Sequence, residues 1–417
     1  MKKATSNSTF FRKLWLLLTI LGPGFITASA DNDAPGIATY SMAGSRYGYN
    51  FLWVLVAVTF GEVIVQEMAA RMGTVTGKGM ADLIREKFGV RTALFAMTCL
   101  LVANIGTTIA QFAGVAAGAE LLGISRYIAI PVVGIGLSLM IMRGSYKVVE
   151  KILIILCMAA LSYVVAAIAL KPDWNEIARS AFIPKIVSLD SAYLLALLAT
   201  IGTTITPWGI FYMQAAVVDK GVKVEEYPMT KVDVVFGAVW GNIISAFIII
   251  TTAATLFKNG IVVEEAEQAA LALAPLAGEW AKVLFSIGFI GASILAATVL
   301  PLSTVYPIAE AFGWERGLDN SRKDAPIFYG LLAGVIIVSA IVVLFPNLPL
   351  FQLMWTSQAL NAVLLPVILI LMLKLANNEE LLGKYVNKKW QNYFSYSLMV
   401  IICVATLVLF IDPWIAG

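Results

Sequence analysis

The sequence predicts an all-α polytopic membrane protein of about 11 transmembrane helices. Three observations predict it: 60% of the 417 residues are hydrophobic, only 13% are charged, and mean hydropathy is +0.86. Soluble domains carry about a quarter charged residues, so this chain lacks the charge to cover a water-facing surface. The same composition excludes disorder, collagen and coiled coil. A net charge of +3, with no basic run longer than a pair such as Lys388-Lys389, excludes nucleic-acid binding.

A helix needs about 20 apolar residues to cross the hydrocarbon core. Stretches of that kind centre on 14–44, 50–70, 93–122, 127–143, 148–170 and 188–218, and then on 232–256, 280–311, 327–346, 350–374 and 393–411. The connections are short and no linker divides the chain, so residues 1–417 read as a single domain. Within it, 14–170 and 188–374 are expected to form two repeats, followed by an extra span at 393–411.

The first span is interrupted. It reads Gly22-Pro23-Gly24-Phe25 and then Asp31-Asn32-Asp33-Ala34-Pro35-Gly36. Proline removes a backbone donor, and glycine tolerates non-helical dihedrals. Ala28-Ser29-Ala30 imitates a signal-peptide cleavage site, but cleavage would leave Asp31 to Ala43 too short to span. The second span carries Glu62 and Glu67. Glu67 is expected to pair with Arg71 four residues on, while Glu62 has no assigned role.

The sixth span is interrupted in the same way, by Gly202-Thr203-Thr204-Ile205-Thr206-Pro207-Trp208-Gly209. Non-helical backbone at membrane depth is tolerated only where protein or water satisfies it. Breaks at matching places in two halves point to a transporter's midplane site. Asp31 and Asp33 lie at that depth with no Lys or Arg in the same span. A carboxylate there is costly, and a transient cation is its natural partner. Unwinding would also free carbonyl oxygens, for instance at Ala30 and Thr203.

Orientation follows from basic residues. With the N-terminus cytoplasmic, about three-quarters of the 29 Lys and Arg fall on the inside. The expected placement is therefore the cell membrane, N-terminus in and C-terminus out. Three cysteines inside apolar runs argue against a disulfide framework, and the absence of histidine removes zinc-hydrolase and Ser-His chemistry. The chain does not read as an enzyme, and no cofactor is expected.

The residues resemble the Nramp divalent-metal transporter family over most of the chain. Gly22-Pro23-Gly24-Phe25, Asp33-Ala34-Pro35-Gly36-Ile37-Ala38-Thr39 and the run Gln66 to Gly77 (QEMAARMGTVTG) carry the likeness, with Thr206-Pro207-Trp208-Gly209, Ser357-Gln358 and Pro366. The resemblance implies a LeuT-type inverted repeat of spans 1–5 and 6–10 with broken helices 1 and 6. It also implies a divalent metal ion as transported partner, with Asp33 as central ligand.

The departures share one direction. The family's Asn ligand corresponds to Gly36, its Met ligand to Thr206, and a tenth-span Gln to Leu364, with Asn361 one turn away as a substitute. Two histidines of the sixth span correspond to Trp208 and Met213, and two acids of the third to Asn104 and Gln111. Those two amides are expected to hold helices together. Soft donors select transition metals, whereas oxygen donors suit magnesium, calcium and manganese, and magnesium keeps several waters. The expected metal-site residues are thus Asp33, Asp31, Ala30, Gly36, Thr203, Thr206 and Asn361.

The pattern resembles the Nramp-related magnesium transporters. The expected function is uptake of partly hydrated Mg2+, and also of Mn2+, without proton coupling. A divalent ion crossing about 100 mV gains about 4.6 kcal/mol, enough for roughly a thousand-fold gradient. The alternatives are a proton-coupled Mn2+/Fe2+ Nramp transporter and a LeuT-type sodium-coupled carrier of an organic substrate. The second is disfavoured by two acids that would repel a substrate carboxylate.

Overall fold

A computed structural model describes residues 32–142, 158–317 and 322–415, with side chains at 32–141, 159–317 and 322–411. The described residues form helices and no strands. Each of the eleven expected apolar stretches is helical over most of its described residues; residues 14–31, 143 and 148–157 lie outside the described residues. Among the described residues, eight helical runs are long and apolar enough to cross a membrane, and Arg126–Ile141 and Leu161–Leu170 are shorter apolar helices. The chain is a multi-pass membrane protein.

The first described helix, α1 (Ala34–Tyr47), joins α2 (Leu52–Thr76) through the turn Gly48–Phe51. Next comes α3 (Met80–Leu121), which extends N-terminal to the expected span because Met80–Phe88 is also helical. Gly89, at φ +82°, turns the chain between the two parts of α3, a conformation glycine adopts without a Cβ clash. The chain continues through α4 (Arg126–Met142), α5 (Leu161–Leu170) and α6 (Trp174–Phe182). Asp190 then caps α7 (Ser191–Thr204) by accepting from the Tyr193 N–H, which holds its carboxyl below the usual carboxylate range.

The span containing α7 breaks at Ile205 and Thr206, and α8 (Pro207–Asp219) resumes it. After α9 (Tyr227–Thr255) come α10 (Ala281–Phe312), α11 (Pro326–Val343), α12 (Leu350–Ala376) and α13 (Lys389–Ile415). Helix α3 packs against α10 and α12, α7 against α12, and α9 against α1 and α2. Apolar side chains such as Ile337 and Ile341 on α11, and Val400, Val404 and Leu407 on α13, face outward. In water such a surface would be costly; in lipid it is neutral.

Small residues set the closest approaches. A Cβ on Gly202 would lie 1.9 Å from the Gln358 carbonyl oxygen and 2.6 Å from the Ala362 nitrogen, so α7 touches the α12 backbone directly. A Cβ on Gly114 would lie 2.5 Å from the Ala34 Cβ, which seats the first turn of α1 on α3. At one end of the bundle Arg71 pairs with Glu67 at 3.3 Å, as their spacing predicted. Gln391 donates to Glu67 at 2.9 Å and Arg71 donates to the Tyr385 carbonyl at 2.6 Å, which ties α13 and the loop before it to α2. Among the described cysteines, Cys99 and Cys403 are free.

Candidate metal site at the helix breaks

Asp33 is buried (5% exposed) and caps α1, accepting the Gly36 N–H on Oδ1 at 2.8 Å. Ala34-Pro35 suits the start of a helix, because proline there forfeits a donor that has no intrahelical partner. Asp33 thus stands at the head of a helix dipole with its other oxygen turned to α3. Gln111 donates Nε2 to Asp33 Oδ2. Gln111 is fully buried, and its Oε1 has no hydrogen-bond partner among the described residues. A carboxylate beside an unpartnered amide oxygen is an oxygen-donor pair suited to a hard cation. No Lys or Arg forms an ion pair with Asp33 among the described residues.

The break in the sixth expected span lies beside α1. Tyr40 on α1 shares a hydrogen bond of 2.9 Å with Thr204, the last residue of α7. Pro207 holds the position four residues after Thr203 and has no N–H to give, so the Thr203 carbonyl lacks its helical donor. Thr206 caps α8, its hydroxyl accepting the Gly209 N–H at 3.2 Å. The interruption is therefore two residues long, and Gly202 and Thr203 stay helical.

The expected residues are placed unevenly. Asp33 and Gly36 form one capped turn, with Gly36 contributing the N–H that fixes the carboxylate. Thr206 lies in the second break, and Thr203 stands one residue before the end of α7. Asn361 faces α3 instead: its amide bonds the Thr107 hydroxyl at 2.9 Å and Gln358 Oε1 at 3.0 Å. Asp31 and Ala30 lie outside the described residues.

One stripe of α3 organises these contacts. Asn104, Thr107, Thr108 and Gln111 recur at helical spacing and are all fully buried. Asn104 donates to Thr304 on α10 at 2.8 Å, Thr107 meets Asn361, and Gln111 meets Asp33. Asn104 is the inter-helix amide expected, whereas Gln111 fixes Asp33 itself. Polar residues at this spacing in an otherwise apolar helix were the available signal for that role. Trp208, where the family has a histidine, is buried beside Ala296 and Leu300. A cavity of about 650 Å³, lined by Ala38, Met42, Arg46, Glu120 and Trp355 among others, opens further along α1.

A family profile described as "Natural resistance-associated macrophage protein-like" matches residues 24–412. The chain is 27% identical over 403 residues to a divalent metal cation transporter MntH of Pectobacterium carotovorum, covering 95% of this chain and 94% of that protein. It is 28% identical over 413 residues to the protein of that name in Bacillus subtilis, covering 95% and 93%. Among solved structures, a manganese transporter of Eremococcus coleocola superposes with TM-score 0.75 at 19% identity, covering 98% of this chain and 88% of that one. Mhp1, a nucleobase-cation-symport-1 family transporter, superposes with TM-score 0.57 at 16% identity, covering 95% and 93%. These likenesses carry the fold: an all-helical bundle of the LeuT type.

Proposed function

We propose, since this chain belongs to the Nramp family, that it carries a divalent metal ion across the membrane through a site centred on Asp33. Members of the family are transporters rather than enzymes. The observation supporting this site is the Asp33–Gln111 pair, a buried carboxylate with no cationic partner among the described residues beside an amide oxygen with no donor. The Thr203 carbonyl and waters at the second break would complete an oxygen shell.

Manganese is the favoured cargo. The curated relatives are named for divalent metal cations and the solved neighbour for manganese. They give no support to a magnesium preference or to uncoupled transport, so the proton-coupled manganese alternative is the better-backed reading. One observation keeps magnesium as the second: Thr206 stands where the family has its methionine, so the donors assembled here are oxygens. Manganese also accepts such donors, and the two readings share one site.

Proteoliposome uptake of manganese, magnesium and calcium, with a pH dye inside, tests both cargo and coupling. Manganese influx that acidifies the lumen and disappears in Asp33→Ala is the expected result. Equal influx with and without the carboxylate removes the site, and magnesium influx without acidification restores the second reading.

A further inference from the structure

Glu62 is buried in α2, 3% exposed, and forms no ion pair with Lys or Arg among the described residues. It lines a cavity of about 10 Å³, room for about one water. Asn32, which precedes Asp33, and Thr204, which ends α7, line it too. The cavity therefore touches the start of α1 and the end of α7 while being separate from the Asp33 carboxylate.

Most donors around this cavity are already committed. Asn242 gives its amide protons to Glu62 Oε2 and to the Ala238 carbonyl. Thr204 donates to the Thr200 carbonyl at 2.8 Å, so the Tyr40 hydroxyl is the donor in their shared bond. The single Ser245 proton is shared between the Gly241 carbonyl and Asn32 Oδ1, each at 3.3 Å. Asn32 donates to that same Gly241 carbonyl. With the protons spent, the Thr204 and Ser245 hydroxyls and the Asn242 amide can offer only oxygen lone pairs, beside one carboxylate.

We propose that this cavity binds a small monovalent cation of the size and hardness of sodium, with Glu62 as its charged ligand. One positive charge neutralises one carboxylate. A donor-poor ring of oxygens matches an ion that takes several oxygen ligands, whereas a proton on Glu62 would need a single acceptor. The volume is too small for a divalent ion that keeps several waters. Because Asn32 precedes α1 and Thr204 ends α7, a cation here would pin both to α2 and α9.

Equilibrium binding of radioactive sodium to the detergent-purified full chain, without divalent metal, reads this site independently of metal transport. Saturable binding is expected, weakened at least tenfold in Glu62→Gln and less in Ser245→Ala, and retained in Asp33→Ala. Size-exclusion profiles establish that each variant is folded, and Ser245→Ala carries the test if Glu62→Gln aggregates. The proposal is overturned by absence of saturable binding, by binding that both cavity variants leave intact, or by binding lost only in Asp33→Ala. Proton uptake that sodium does not displace would likewise replace the ion with a proton.

Discussion

Gln111 holds Asp33 from the opposite helix, its Nε2 on the carboxylate and its Oε1 left without a partner. The contact joins residues 78 positions apart and sets an unpartnered amide oxygen beside a helix-capping carboxylate.

Removing that hold is costly. A hydrogen bond to a charged group contributes about 1.5–3 kcal/mol, so Gln111→Ala is expected to raise the half-saturating manganese concentration about tenfold or more. Gln111→Glu adds a second negative charge and is expected to slow release. Concentration-dependent uptake in proteoliposomes distinguishes the two. An unchanged half-saturation in Gln111→Ala would show that the amide does not touch the ion.

Thr206→Met is expected to widen the range of cargo toward softer metals. A thioether favours transition metals over magnesium, so cadmium should compete more strongly with manganese in this variant. The substitution also deletes the α8 cap, at about 1 kcal/mol. Thr206→Ser keeps the cap and serves as the comparison. Competition unchanged in both would place the side chain away from the ion.

Gly202→Ala puts a methyl group into the backbone of α12. Overpacking of this kind costs about 1–3 kcal/mol, so a lower melting temperature in detergent and reduced uptake are expected together. A variant with wild-type melting and uptake would contradict the direct contact between α7 and α12.

Arg71→Met leaves Glu67 buried without its partner. Breaking a buried pair costs about 3–5 kcal/mol, although the donors Tyr227 and Gln391 still reach the carboxylate. Adding Glu67→Gln removes the stranded charge and should recover part of the loss. Thermal unfolding of the single and double variants reads the difference, and a double variant less stable than the single would refute it.

What the sequence made legible was local. The Gly and Pro around Thr206 marked the interruption now seen at Ile205 and Thr206, and Glu67–Arg71 followed from i,i+4 spacing. The rest depended on helix rotation, which residue order does not state. Asn361, expected as a metal-site residue, bonds Thr107 and Gln358, and the Thr107 contact across helices is not written in residue order. Gln111, read as glue, reaches the central carboxylate because Gly114, one turn on, admits α1 so closely. Glu62 and Asn242 are 180 positions apart, and no local pattern brings them together.

The seam at Gly202 has a mechanical corollary. Two backbones in contact, with no side chain between them, cannot slide past each other without collision, so α7 and α12 travel as one strut. In the transport proposed for this chain, alternation between the two faces would then bend it at Ile205 and Thr206, with α8 the moving arm and the strut its fulcrum.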